Sequence, residues 1–79
     1  MTSRTTPNDK GFLQHLGDRL RERRLANDLT QEELGAKCRL HRTFIGSVER
    51  GERNLSILNL RLIAKMLRVS LAELLDGLT

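Results

Sequence analysis

The sequence predicts an all-α domain of five helices, and three observations carry that reading. Sixteen residues are Leu, whereas Val and Ile together number five; Leu favours helix and the β-branched residues favour strand. Apolar residues recur at helical spacing from Phe12 onward. Two segments, Thr30-Gln31-Glu32-Glu33 and Ser70-Leu71-Ala72-Glu73, have the reciprocal capping pattern that opens a helix. The chain has 79 residues, 38% of them apolar, which allows one small domain around one modest core. That length excludes a two-domain enzyme, a TIM barrel and a full dinucleotide-binding fold.

Residues 1–11 read as a disordered N-terminal tail and residues 12–79 as the folded domain. The stretch MTSRTTPNDK is polar, contains the only Pro and shows no periodicity. Leu13, Leu16 and Leu20 then lie on one face of a first helix, which ends near Asn27 and Asp28. Its other faces carry Asp18, Arg19, Arg21, Glu22 and Arg23, a charged, solvated surface. Thr30 caps a second helix with Leu34 and Cys38 on its buried side, ending near Cys38 and Arg39. Leu40-His41 is a tight connection. A third helix spans about Arg42 to Arg50, with Ile45 and Val48 spaced by three, and Gly51 stands where a left-handed terminus is wanted. Ser56 is a good N-cap for a fourth helix, along which Ile57, Leu60, Ile63, Ala64 and Leu67 recur. Ser70 opens a fifth, carrying Leu71, Leu74, Leu75 and Leu78.

Charge and composition narrow the function classes. The chain carries 14 Lys+Arg against 10 Asp+Glu, a formal net charge of +4. Eleven of those cations are Arg and three are Lys, and Arg is the side chain suited to bidentate contact with phosphate or guanine. A basic small helical domain is a first footprint of a nucleic-acid binder. With no Trp or Tyr and two Phe, stacking platforms for single strands are nearly excluded. Cys38 is the only cysteine, so no internal disulfide forms. It reads as a small core residue, with a redox switch as the lesser alternative. Two His and one Cys give no metal-ligand cluster, no cofactor motif is present, and no paired acids or nucleophile–base spacing suggest an enzyme. No apolar run is long enough for a membrane span, and the N-terminal residues lack a signal-peptide core. The expected compartment is the cytoplasm.

The second and third helices, residues 30–38 and 42–50, form a helix-turn-helix candidate. Gly35, in the middle of the second, costs roughly 1 kcal/mol relative to Ala and is read as letting the third helix pack closely. The outer face of the third helix, Arg42, Thr43, Gly46, Ser47 and Arg50, is polar and cationic without an acid. Glu49 is read as pointing inward. His41 is left open between capping the third helix and touching DNA.

The run LTQEELGAKCRLHRTFIGSVERGERNLSILNLRLIAKML resembles the Cro/C1 (XRE) helix-turn-helix family, and HRTFIGSVERGERNLS within it resembles the controller proteins of restriction–modification systems. The resemblance covers about residues 12–76. It implies a five-helix, lambda-repressor-like domain that binds a double-stranded DNA operator as a symmetric homodimer. It implies base reading by Arg42, Thr43 and Ser47, and phosphate contact by Gln31, Arg50, Arg53 and Asn54. A helix N-terminus such as that at Gln31 also suits an anion on physical grounds. The resemblance further implies an ion pair between Arg24 and Glu49 that ties the first helix to the third. RNA polymerase is a candidate further partner. No small-molecule ligand is expected.

The leucines of the last helix exceed what one core-facing stripe needs. Val69, Leu71, Leu74, Leu75 and Leu78 are therefore expected to form an isologous dimer interface. The competing function is an antitoxin or protein-interaction module of the same fold.

Overall fold

In the computed structural model, residues 5–79 are described. They form α1 (Pro7–Ala26), α2 (Gln31–Cys38), α3 (Arg42–Glu49), α4 (Ile57–Met66) and α5 (Leu71–Leu75). Side-chain oxygens of Thr30, Ser56 and Ser70 accept backbone N–H bonds at the starts of α2, α4 and α5. At Thr30 and Ser70 the glutamate at the third helical position reaches back to complete the capping box. These were the expected starts, and they occur because the first four N–H groups of a helix have no partner within it.

The N-terminal boundary is a correction. Thr6 caps α1, its hydroxyl accepting from the Asp9 amide at 3.1 Å, while the Asp9 carboxylate accepts from the Thr6 amide at 3.0 Å. Pro7 occupies the first helical position, where its missing N–H costs nothing and its fixed φ suits the helix. Residues 7–11, expected to be part of a disordered tail, are thus the first turn and more of α1. The expectation for Met1 to Arg4 lies outside the described residues.

The helices end on backbone that turns left-handed. Asp28, Arg39 and Arg68 have φ of 56°, 56° and 59°, and Gly51 has φ 75°. Asn27 donates its side-chain amide to the Arg23 carbonyl at 2.7 Å and to the Leu67 carbonyl at 3.2 Å, joining the ends of α1 and α4.

The core collects Leu16 and Leu20 of α1, Leu34 and Cys38 of α2, Ile45 and Val48 of α3, and Leu60, Ile63 and Ala64 of α4. Leu67, Val69 and Leu74 complete it. Val69 is 7% exposed and Leu74 is fully buried, so neither can lie at a dimer surface. Leu71, Leu75 and Leu78 are half-buried against the same core. Leu78 lies beyond α5, which ends at Leu75. Ile57, expected on the core stripe of α4, is 63% exposed, and its neighbour Leu58 is 64% exposed.

Two glycines set how closely α3 and the turn before it are approached. A Cβ on Gly17 would lie 2.5 Å from the Glu49 carbonyl oxygen and 2.6 Å from that of Val48, so only glycine lets α1 cross the end of α3 at this distance. On Gly35 a Cβ would lie 2.4 Å from the Leu40 carbonyl oxygen. Gly35 therefore makes room first for the turn between α2 and α3, and then for the start of α3, where the Arg42 nitrogen would lie 3.4 Å from that Cβ. The Leu40 amide closes that turn on the Gly35 carbonyl at 2.9 Å.

Candidate nucleic-acid interface

The buried link beneath the site is an ion pair. Arg24 Nε donates to Glu49 Oε2 at 2.6 Å and Nη2 donates to Oε1 at 3.0 Å. The side chains are 9% and 4% exposed. The third nitrogen, Nη1, donates to the Leu29 carbonyl at 2.8 Å. Gln31 completes the set, its Nε2 donating to Glu49 Oε1 at 3.1 Å. The Glu49 carboxylate at the end of α3 thus ties together α1 and the first residue of α2, and Arg24 adds the loop before α2.

That link fixes the relative placement of α2 and α3 at the surface. Gly46 leaves a gap on α3 into which two side chains lean: a Cβ there would lie 3.1 Å from Arg50 Nη1 and 3.3 Å from Gln31 Oε1. The Gln31 amide group, expected at a phosphate, is half-buried and engaged with Glu49. Its backbone amide is one of the first-turn donors without an intrahelical acceptor. Behind it, the Thr30 backbone bond holds the Glu33 carboxyl below the usual range.

The start of α3 is capped by a side chain. His41 Nδ1 accepts from the Thr43 amide at 3.0 Å, which settles the open reading of His41 for that nitrogen in favour of capping. An accepting Nδ1 places the ring proton on Nε2. Arg42 and Thr43 follow on the exposed first turn. Arg42 Nη1 lies 3.6 Å from Glu32 Oε2, a surface pair with both side chains well exposed; such pairs are weak and exchange readily.

Ser47 is a correction. It is 8% exposed, and its hydroxyl donates to the Phe44 carbonyl at 2.7 Å while accepting from Arg53 Nε at 3.3 Å. Spacing had put it on the outer face with Gly46; Gly46 is covered by the Gln31 and Arg50 side chains, and Ser47 by the loop after α3, through Arg53 and the Glu52 amide. Ser47 therefore has its hydroxyl proton committed within the protein and little surface to offer a base.

Arg50, Arg53 and Asn54 are exposed around the end of α3. Arg50 Nε lies 3.1 Å from Glu52 Oε2, again at the surface. The Arg53 guanidinium carbon stands 5.1 Å from the centroid of the Phe44 ring. A shallow groove of about 520 Å³, lined among others by Lys10, Gln14, Arg50 and Asn54, continues this face onto α1.

Sequence reasoning missed the Phe44–Arg53 pairing and the part taken by Arg19. Read as one charge on a solvated face, Arg19 donates Nη1 to the Leu74 carbonyl at 3.0 Å and to the Asp76 carbonyl, securing the end of α5. Neither contact has a local sequence signal, since each joins residues brought together only by folding. Cys38 is buried, and burial pushes its thiol above the ordinary value, which keeps it unreactive. Among the described residues no group of three His, Cys, Asp or Glu could hold a metal ion. No described helix is long and apolar enough to cross a membrane.

This arrangement, a short helix pair with a cationic outer turn, matches known proteins. The helix-turn-helix family profile covers residues 20–74. Control protein C.BamHI of Bacillus amyloliquefaciens is 44% identical over 64 residues, which are 80% of this chain and 79% of that protein. The crystal structure of the restriction-modification controller protein C.AhdI from Aeromonas hydrophila superposes with a TM-score of 0.78 at 42% identity, covering 82% of this chain and 94% of that one. The controller protein C.Esp1396I, solved as a tetramer in complex with its natural 35 base-pair operator, gives 0.75 at 39% identity, covering 85% of this chain and 88% of that one. The chain belongs to the helix-turn-helix family, among the control proteins of restriction–modification systems.

Proposed function

We propose that the protein is a transcriptional regulator of a restriction–modification system that binds a near-palindromic operator as a homodimer. In this reading α3 enters the major groove, Arg42 and Thr43 read base edges, and Arg50, Arg53, Asn54 and the amide of Gln31 hold phosphates. The observation that carries it is the first turn of α3. Arg42 and Thr43 are exposed there with no acid on their own helix turn, above a buried Arg24–Glu49 pair that fixes α3 against the rest of the fold. An arginine so placed can grip guanine O6 and N7 together. Family membership supports a regulator and not a catalyst, and a cytoplasmic site of action follows from DNA as the target.

Ser47 leaves the base-reading set for the reason given above. The dimer surface also moves. Val69 and Leu74 belong to the core. Ile57 and Leu58 form an exposed apolar pair at the start of α4, and a two-fold contact centred there would bury them. Leu71, Leu75 and Leu78 are half-buried on the C-terminal segment, where α5 packs on α4. Replacing Leu58 by Asp is expected to shift sedimentation toward monomer without lowering the melting temperature of the fold. An unchanged dimer would remove this surface from the proposal.

The functional test is footprinting on DNA upstream of the protein's own gene, with wild type and Arg42→Ala. The wild type should protect a two-fold symmetric site. Arg42→Ala should lose about 1–3 kcal/mol on that site and far less on unrelated DNA. Equal losses on both would make Arg42 a phosphate contact and take the base-reading role from it.

A further inference from the structure

Arg53 leaves the loop after α3 and folds back onto the helix it follows. Its guanidinium carbon is 5.1 Å from the centre of the Phe44 ring, a distance at which the ring face attracts the cation. Its Nε donates to Ser47 Oγ at 3.3 Å. The Ser47 proton is already committed to the Phe44 carbonyl at 2.7 Å, so the hydroxyl turns a lone pair toward Arg53. Ser47 is buried and Phe44 half-buried, which holds both against the helix. A ring face beneath the guanidinium carbon and an acceptor at Nε restrain the group from two sides. Among the described residues, neither Nη group makes a hydrogen bond within the protein.

We propose that Phe44 and Ser47 are positioning residues for DNA binding: they clamp Arg53 against α3 in the free protein, so that its two Nη groups meet DNA as a preformed fork. This rests on the reading of Arg53 as a DNA contact. The physical reason is conformational entropy. An unrestrained arginine loses its rotamer freedom at the moment of binding, whereas a clamped one has lost it on folding. The planar fork suits the paired acceptors of a phosphate or a guanine only when its plane is correctly turned. Loss of the clamp should therefore weaken binding by about two- to tenfold per half-site, the ordering cost of one long side chain expressed as affinity.

The test is a double-mutant cycle on the full chain, using the footprinted duplex and four proteins: wild type, Ser47→Ala, Arg53→Ala and the double variant. Ser47→Ala should weaken binding two- to tenfold in the wild-type background and add nothing once Arg53 is gone. The same loss in both backgrounds, or no loss in either, would overturn the clamp. If Arg53→Ala alone leaves affinity unchanged, the reading of Arg53 as a DNA contact falls and the proposal falls with it. Phe44→Leu, taken through the same cycle, keeps the question open to refutation should Ser47→Ala not fold. Nuclear magnetic resonance of the free protein provides a readout independent of DNA. The Arg53 δ-methylene protons should be shifted upfield by the Phe44 ring and return in Phe44→Leu. Unshifted protons in the wild type would show that no clamp exists before binding.

Discussion

Replacing Arg24 by Ala leaves the Glu49 carboxylate inside the protein with a single neutral donor. In the wild type that carboxylate accepts from Arg24 Nε at 2.6 Å, Arg24 Nη2 at 3.0 Å and Gln31 Nε2 at 3.1 Å. Both partners are at least nine-tenths buried, so water cannot replace the lost guanidinium without opening the packing of α1 on α3. Breaking a buried pair from one side costs about 3–5 kcal/mol. A small domain has only about 5–15 kcal/mol in total, and each kcal/mol moves the melting temperature of a chain this size by about 4–8 °C. The double replacement Arg24→Met with Glu49→Leu removes both charges together. It should cost distinctly less than Arg24→Ala, since no uncompensated charge remains. The Leu29 carbonyl loses its 2.8 Å donor in either case, so that loss cancels in the comparison. Denaturant unfolding followed by helical circular dichroism gives both values, at one fixed protein concentration because dimerisation adds to apparent stability. If the single and double variants are equally destabilised, or if Arg24→Ala costs under about 1 kcal/mol, the pair is not the buried electrostatic link described.

Gly17→Ala should destabilise by about 1–3 kcal/mol through the backbone clash with α3, although alanine is the better helix former. Gly11→Ala, where a Cβ would meet nothing within 4 Å, should stabilise by roughly 0.5–1 kcal/mol; opposite signs in thermal melts check the pair, and equal signs would refute the close crossing. Asp9, Glu33 and Glu73 are held below their ordinary values by the backbone amides of Thr6, Thr30 and Ser70. Their stabilising contribution is therefore whole above the ordinary values of 3.8 and 4.5 and is lost as pH falls through the lower folded-state values. Glu33→Gln, which keeps a capping side chain but does not titrate, should flatten the acid limb of stability against pH. Cys38 should react with iodoacetamide far more slowly in the native protein than after unfolding; a rate like that of a free thiol would contradict its burial.

The helix starts were legible because capping is local. Thr30 and Ser70 announce α2 and α5 within four residues, and Gly51 marks the end of α3 by its own backbone conformation. The start of α1 was missed for the opposite reason. Thr6-Pro7-Asn8-Asp9 carries a capping signal but precedes any apolar periodicity, and Pro7 reads as a breaker until its place at the first helical position is known. The errors at the site share another cause. Ser47 lies on a helix face that spacing leaves outside, and the loop after α3 returns to it through Glu52 and Arg53. The leucines after Val69 looked surplus because a sequence does not show how far the core extends; Val69 and Leu74 fill it, and the exposed apolar pair proves to be Ile57 and Leu58. The Arg24–Glu49 pair, 25 residues apart, was reached through the family resemblance and had no signature in spacing.

Selection of bound duplexes from a random pool tests the central claim most directly, since it assumes no operator. If two copies of α3 read successive major grooves, the recovered sequences should converge on a near-palindrome with half-sites about 34 Å, or one helical turn, apart. Inserting half a turn between those half-sites should abolish tight binding. Convergence on a single unrepeated half-site bound tightly by a monomer, or no convergence at all, would contradict it.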